Sequence, residues 1–383
     1  MITIRQNIAS GLRGASRILL LCIIVSYVVA AQPRPTTGLA DPTTKDGARG
    51  DREGSEFQSF DTRGGHTRVS DLRFAHLTTN DGLSQSYVTE ILQDRRGFMW
   101  FATRDGLNRY DGNTFVVYKH NPNDPRSLSA NYIWDLTEDD QGYLWIATDT
   151  GGVNKFDPTT ERFARYRHDP NNSNSICGDA VESIARDSRG YLWFGTSDSG
   201  LDKFDPSTGT FTHYVADSDG QFVGRITKVI EDRRRDIWFV GERGLFHLNL
   251  QTGQITRPPA IIQRLVADYL YEDNVGTFWM LAYSPIFGLV KYDRQAERLT
   301  NYPVSGGAIG VASSNLLADG QNGFWVPSSQ GLYYFDLRTE RWTYRFQHDE
   351  TNPDSLNDNT VASVYRDRGG LLWWELQMVG LTS

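Results

Sequence analysis

The sequence predicts an all-β protein, a seven-bladed β-propeller of four-stranded blades with the last blade incomplete. Three observations carry that expectation. Seven tryptophans, Trp100, Trp145, Trp193, Trp238, Trp279, Trp325 and Trp373, follow one another at intervals of 45, 48, 45, 41, 46 and 48 residues. A period in the forties, filled with short apolar runs, is the spacing of propeller blades, each a small sheet that buries its faces against its neighbours. Each tryptophan also closes a turn of the form Asp-x-x-Gly-x-x-Trp. The strict copies begin at Asp94, Asp139, Asp187, Asp273 and Asp367, while Arg235 and Asn322 replace the glycine in the copies that begin at Asp232 and Asp319. Finally, 36 Gly, 19 Phe, 18 Tyr and 10 Trp favour short strands and tight turns over helices.

Taken in chain order, residues 1–31 read as a secretory leader. Arg5, Arg13 and Arg17 precede an apolar and small-residue run from Ile18 to Ala31, and Val29, Ala30 and Ala31 offer small residues for cleavage. The run is short for a spanning helix, and an uncleaved inner-membrane anchor is the alternative. The protein is therefore expected to be exported, to the periplasm. Cys22 lacks the small preceding residue of a lipid-modified cysteine. That leaves Cys177 as the only cysteine of the folded part, so no internal disulfide is expected. With no histidine or basic residue near it in sequence, Cys177 reads as a half-buried loop residue. Residues 32–70, rich in Pro, Thr, Asp, Gly and Arg, bury too little apolar surface to offset ordering entropy and are expected to be a disordered linker.

Residues 71–383 then form the propeller. Its second repeat shows the plan: an inner strand at Tyr132–Leu136, a turn at Asp139–Gly142, a second strand at Tyr143–Thr148, a third at Gly152–Phe156 and an outer strand at Arg162–Tyr166. One large aromatic per blade fills the wedge between adjacent sheets. The segment from Phe74 to Thr78 resembles the outer strands and is expected to close the ring in the last blade. There the seventh repeat supplies two strands and, at Gly380-Leu381, part of a third.

These repeats resemble the two-component regulator propeller family, the periplasmic sensor region of hybrid histidine kinases. The resemblance rests on the Asp-x-x-Gly-x-x-Trp turns, on Leu77-Thr-Thr-Asn-Asp81-Gly82-Leu83-Ser, on Gly106-Leu-Asn-Arg-Tyr110-Asp111-Gly112, and on the Ser127-Leu128 and Ser355-Leu356 loops. It covers roughly residues 72–382. It implies a sensor whose kinase and membrane span lie in other parts of such proteins. Departures occur at Arg235, at Asn322, after Trp279 and at Trp374-Glu-Leu-Gln-Met, and the early end of the seventh repeat reads as a truncated sensor.

A net charge of −8 argues against a nucleic-acid surface. The seven histidines are scattered, and His120, His168 and His348 read as loop residues at equivalent places. There is no phosphate loop, nucleophile elbow or EF-hand, and the Asp169–Ser175 loop lacks an EF-hand's glycine and glutamate. No cofactor, metal or catalytic residue is assigned. The turn aspartates read as turn formers that bond nearby backbone amides.

Ligand-binding candidates lie in the connections between second and third strands, on the face where propellers usually bind ligands: Arg104, Asp105, Asp149, Asp198, Glu242, Arg243 and Gln330. Trp134, on an inner strand, is a candidate to stack on a sugar. For each of the seven loop residues a solvated rim is the simpler reading, and for Trp134 a core role stands as an equal alternative. The function read from the sequence is a periplasmic ligand-sensing module that takes a small molecule, a carbohydrate by the resemblance, and acts through a homodimer or a membrane sensor kinase. A propeller lyase or glycosidase, and a protein-interaction scaffold or remnant, are the alternatives.

Overall fold

The computed structural model describes residues 26–33, 72–258, 262, 265–304, 315–320, 322–352, 355–356 and 358–377. Cys22, His66, Gly380-Leu381, and the leader and linker segments at 1–25 and 34–71 lie outside the described residues.

Six blades, at 88–118, 133–166, 181–214, 226–256, 266–302 and 317–346, are each an antiparallel sheet of four consecutive strands, and are numbered here in that order. The expected count of seven blades is corrected to six, because the seventh tryptophan repeat makes no blade of its own. It contributes only Val361–Arg366 and Leu372–Gln377 to a composite closing sheet. The outermost strand there is Leu72–Leu77, in the place expected for the segment from Phe74. The third position is not left part-filled by the C-terminal repeat. Ser26–Pro33 occupies it, pairing antiparallel with both neighbours from Ala31–Leu372 to Ser26–Gln377 and from Val28–Leu77 to Pro33–Leu72. The end of the segment expected as a leader thus lies in this strand. An unpaired strand edge is a liability that ring closure removes, and the chain meets that need with a distant segment.

The repeated turn has a local cause. Asp139 Oδ1 accepts the backbone N–H of Gln141 and of Tyr143, both at 3.0 Å, while Oδ2 accepts the Trp145 indole N–H at 2.8 Å. The same aspartate–indole bond recurs at Trp100, Trp193, Trp238, Trp279 and Trp373, at 2.9 to 3.1 Å. The six-residue spacing from Asp to Trp therefore holds the wedge residue by its one polar atom as well as shaping the turn. Blade 6 differs: Asp319 accepts from Tyr334 and Arg366 instead. Gly142 sits at φ +88°, the left-handed conformation this turn requires, and Arg235 takes the same conformation at φ +66° in blade 4.

Trp100, Trp145, Trp193 and Trp279 are almost wholly buried. Three of them pack on a third-strand aromatic of the following blade: Trp100 on Phe156, Trp145 on Phe204 and Trp279 on Phe335, with centroids 5.4 to 5.6 Å apart. Burying such a side chain between blades is worth about 3–5 kcal/mol on truncation to alanine. At the outer ends, Nδ1 of His120, His168 and His348 donates to the carbonyls of Leu128, Ile176 and Leu356, at 2.8, 2.8 and 2.5 Å. The carbonyl partner fixes the Nδ1–H tautomer, so each histidine pins the loop that follows its outer strand.

Candidate functional site at the channel mouth

Inner strands carry a β-bulge near their start, immediately before Glu90, Asp135, Ser183, Lys228 and Tyr269. The bulge separates two sets of side chains. Ten positions before the seven tryptophans stand Glu90, Asp135, Ser183, Lys228, Tyr269, Asn315 and Ser363, every one polar. Lys228 of blade 4 comes within 3.5 Å of Asp135 of blade 2, so the contact bypasses blade 3. Burial pushes the Glu90 carboxyl up to about 7, helped by the Asp135 charge and opposed by Lys228. Burial opposes the Lys228 charge, but Asp135, Tyr269 and Glu90 together outweigh it and hold its pKa above the usual lysine value. Three of the set also join neighbouring blades by accepting a backbone N–H: Asp135 from Ile184 (3.0 Å), Ser183 from Val229 (3.2 Å) and Asn315 from Val364 (3.0 Å). This girdle closes the channel with charge pairing and hydrogen bonds.

Three of the bulge residues one place earlier, Trp134, Glu182 and Asp268, meet the ends of second strands and the connections that follow them. Trp134 donates its indole N–H to Asp149 at 3.1 Å and stacks on Tyr132, with centroids 4.6 Å apart and planes at 27°. Arg104 of the preceding blade lies 3.5 Å from the ring centroid of Tyr87 and 5.1 Å from that of Tyr132. Farther round the same mouth Glu182 accepts from Ser197 and pairs with Arg225 at 2.8 Å. Asp268, bonded to Tyr283, has its carboxyl pushed up to about 6, chiefly by burial and secondarily by Glu182, while Arg225 opposes the shift. Burial and the neighbouring Asp268 likewise hold the Tyr283 hydroxyl up, at about 12. The mouth therefore offers a half-buried aromatic wall with a cation stacked on it, and a group of charged hydrogen-bonding side chains beside it.

All seven candidates from the second-to-third-strand connections lie in those connections. Arg104, Asp149 and Trp134 come together as described. Asp105 turns to Lys119 at 2.5 Å and Asn131 at 3.1 Å. Asp198 accepts from Ser199, Arg243 lies 3.9 Å from Glu242 and donates to the Phe222 carbonyl, and Gln330 accepts from Arg345. These contacts tie the five to nearby loops and outer strands and not to the aromatic wall. Sequence reasoning missed Tyr87, Tyr132, Glu182, Arg225, Asp268 and Tyr283. A signal existed: Tyr87, Tyr132 and Arg225 each stand thirteen residues before their tryptophan, and Glu182 and Asp268 eleven. Cys177 also gains a neighbour that sequence proximity hid, since His213 and Asp202 lie close to it. A cleft of about 350 Å³ on the opposite face, lined by Arg233, Glu272 and Arg294, is structural: Arg294 is spent on Asp232 at 2.6 Å and the Gly276 carbonyl at 3.0 Å.

Comparison with known proteins agrees with this architecture. The two component regulator propeller family matches residues 82–105, 127–150 and 171–198. A histidine kinase, P4, of Formosa agariphila is 51% identical over 59 residues, 15% of this chain and 4% of the kinase. The structure described as the extracellular domain of a hybrid two component system from B. thetaiotaomicron superposes with a TM-score of 0.66 at 24% identity, over 78% of this chain and 41% of that one. Virginiamycin B lyase from Staphylococcus aureus shares the fold at 11% identity and a TM-score of 0.54, over 76% of this chain and 94% of the lyase. The chain thus spans less than half the length of the sensor proteins it matches, and fold alone does not separate sensing from catalysis. No helix among the described residues is long and apolar enough to cross a membrane. Residues 82–105, 127–150 and 171–198 of this protein thus match two component regulator propeller repeats, and the remaining blades repeat the same four-stranded plan.

Proposed function

We propose that this propeller is the exported ligand-sensing module of a two-component system, and that its ligand is a carbohydrate bound over the channel mouth. The observation that carries the reading is the Tyr132–Trp134 stack beside Arg104, with Trp134 held by Asp149. Sugars present apolar faces and many hydroxyls. They suit an aromatic wall next to charged hydrogen-bonding groups such as Glu182 and Arg225, whose strength rises in a partly desolvated mouth. Binding there touches several blades at once, so it would bias their packing or a contact with a second copy, and a membrane sensor kinase would read the change.

The test is thermal unfolding of the full chain against a panel of oligosaccharides and small polar metabolites. One saccharide class should raise the midpoint, because a ligand that binds only the native state stabilises it by about 2.7 kcal/mol at a hundredfold excess over Kd. Trp134→Ala should keep the transition and abolish the shift. No shift with any compound would remove the sensing reading in favour of an interaction scaffold, and a shift that survives Trp134→Ala would move the site elsewhere.

A further inference from the structure

Blade 3 breaks the repeat at one place, and the break gathers a thiol, a carboxylate and an imidazole. In blades 1 and 2 the third strand carries an asparagine, Asn108 or Asn154. Its Oδ1 accepts the backbone N–H of Ser84 (2.8 Å) or Ser129 (2.9 Å), and its amide donates to the same serine's hydroxyl at 2.9 or 2.7 Å. In blade 3 the equivalent pair is Asp202 and Cys177, with Asp202 Oδ2 accepting the Cys177 N–H at 2.7 Å. Val117 and Arg165 stand opposite the two asparagines on the outer strands, and His213 stands opposite Asp202.

Each of the three departures installs a metal-binding atom, and the three atoms lie within 4.8 Å of one another. His213 is also oriented for ligation. Its Nε2–H donates to the Ser173 carbonyl at 3.0 Å, and Nδ1 faces Asp202 Oδ1 at 2.5 Å. A backbone carbonyl on the far ring nitrogen is the outer-shell contact that fixes the tautomer of metal-bound histidines. The Asp202 side chain is 0% exposed and that of His213 31%, so the group is anchored within the sheet yet reachable from solvent.

We propose that Cys177, Asp202 and His213 bind a transition-metal cation of the zinc class, with water in the fourth position. One thiolate, one imidazole and one carboxylate form a borderline-soft donor set that suits zinc and disfavours magnesium or calcium. Binding releases the thiol proton and the Nδ1 proton to solvent. The cation then ties the outer strand Thr210–Tyr214 and the loop before blade 3's inner strand Val181–Arg186 to the strand that carries Asp202.

The test uses the full chain with Cys22→Ser, which leaves Cys177 as the only thiol. Titration with Co²⁺ should produce a near-ultraviolet thiolate-to-cobalt charge-transfer band, and Zn²⁺ should displace it. The double variant Cys177→Ser/Asp202→Asn rebuilds the Ser–Asn pair of blades 1 and 2, so it should unfold at the parent's midpoint without metal and give no band. Absence of the band from the parent, or the same band in the double variant, would overturn the site. An ion pair of His213 with Asp202 alone produces neither the band nor its displacement.

Discussion

Blade 2 and the closing sheet share one plan and differ in how the chain supplies it. Blade 2 is a single run, 133–166, whose strands pair with their sequence neighbours. The closing sheet joins Val361–Arg366 and Leu372–Gln377 to Ser26–Pro33 and Leu72–Leu77. The turn chemistry is the same in both: Trp145 donates to Asp139 at 2.8 Å and Trp373 to Asp367 at 3.0 Å. The second half of the sheet differs. Two residues past its tryptophan, blade 2 has the buried Ala147, whereas the closing sheet has Glu375, 0% exposed, with one oxygen accepting the Val88 N–H at 2.8 Å and the other without a hydrogen-bond partner among the described residues. Bonds within one hairpin form wherever the motif occurs, while pairing between distant segments must overcome the loop-closure entropy of all that separates them.

Three experiments would break or sharpen this contrast. The largest effect is expected from deleting Ser26–Pro33, which removes the strand that joins the two halves of the closing sheet. Calorimetry should show loss of the cooperative transition or a fall in midpoint of more than about 10 °C. An unchanged transition would mean that the ring holds without this strand, as leader cleavage after Ala31 requires.

Next is Asp139→Ala. It leaves the Trp145 indole and the N–H groups of Gln141 and Tyr143 without their acceptor, at a cost of about 3 kcal/mol read from urea unfolding. Asp139→Asn retains an acceptor and should cost about 1 kcal/mol. Equal costs would show that the aspartate acts through its charge and not through this bonding pattern.

The smallest effect is expected for Glu375→Gln. Burial raises the Glu375 pKa well above the usual carboxylate range, against the Val88 N–H and the Arg104 charge. A raised folded-state pKa means that the linked stability is present below the unfolded value and is lost as pH rises through the folded one. The glutamine variant lacks that loss, so its advantage should be nil near pH 4 and grow with pH, reaching the order of 1 kcal/mol at pH 8. An advantage that is flat across this range would place the Glu375 carboxylate in a hydrated site.

Legibility followed the same division. The inner strand, turn and outer strand of blade 2 were readable because each is a short local pattern: the structure begins that inner strand at Ile133 and ends the outer one at Tyr166. The second-to-third-strand connections of Arg104, Asp149 and Gln330 were readable for the same reason. Their convergence was not, since Arg104 meets Trp134's stacking partner across a blade boundary while Gln330 faces Arg345 on its own outer strand. Lys228 and Asp135, 93 positions apart, meet only because the ring brings their strands to one axis.

By itself the sequence determined the blade: the period, the Asp-to-Trp spacing, and the alternation that makes four short strands. The spacing and the alternation act between residues a few positions apart, and the period is that local pattern repeated along the chain, so all three are written into the letters themselves. Only the tertiary structure decided how many repeats make blades of their own, which segment completes the ring, and which side chains share the channel and the Cys177–Asp202–His213 group. Those depend on closing a circle of sheets, and closure is set by the packing of every blade on the next, which no single repeat contains.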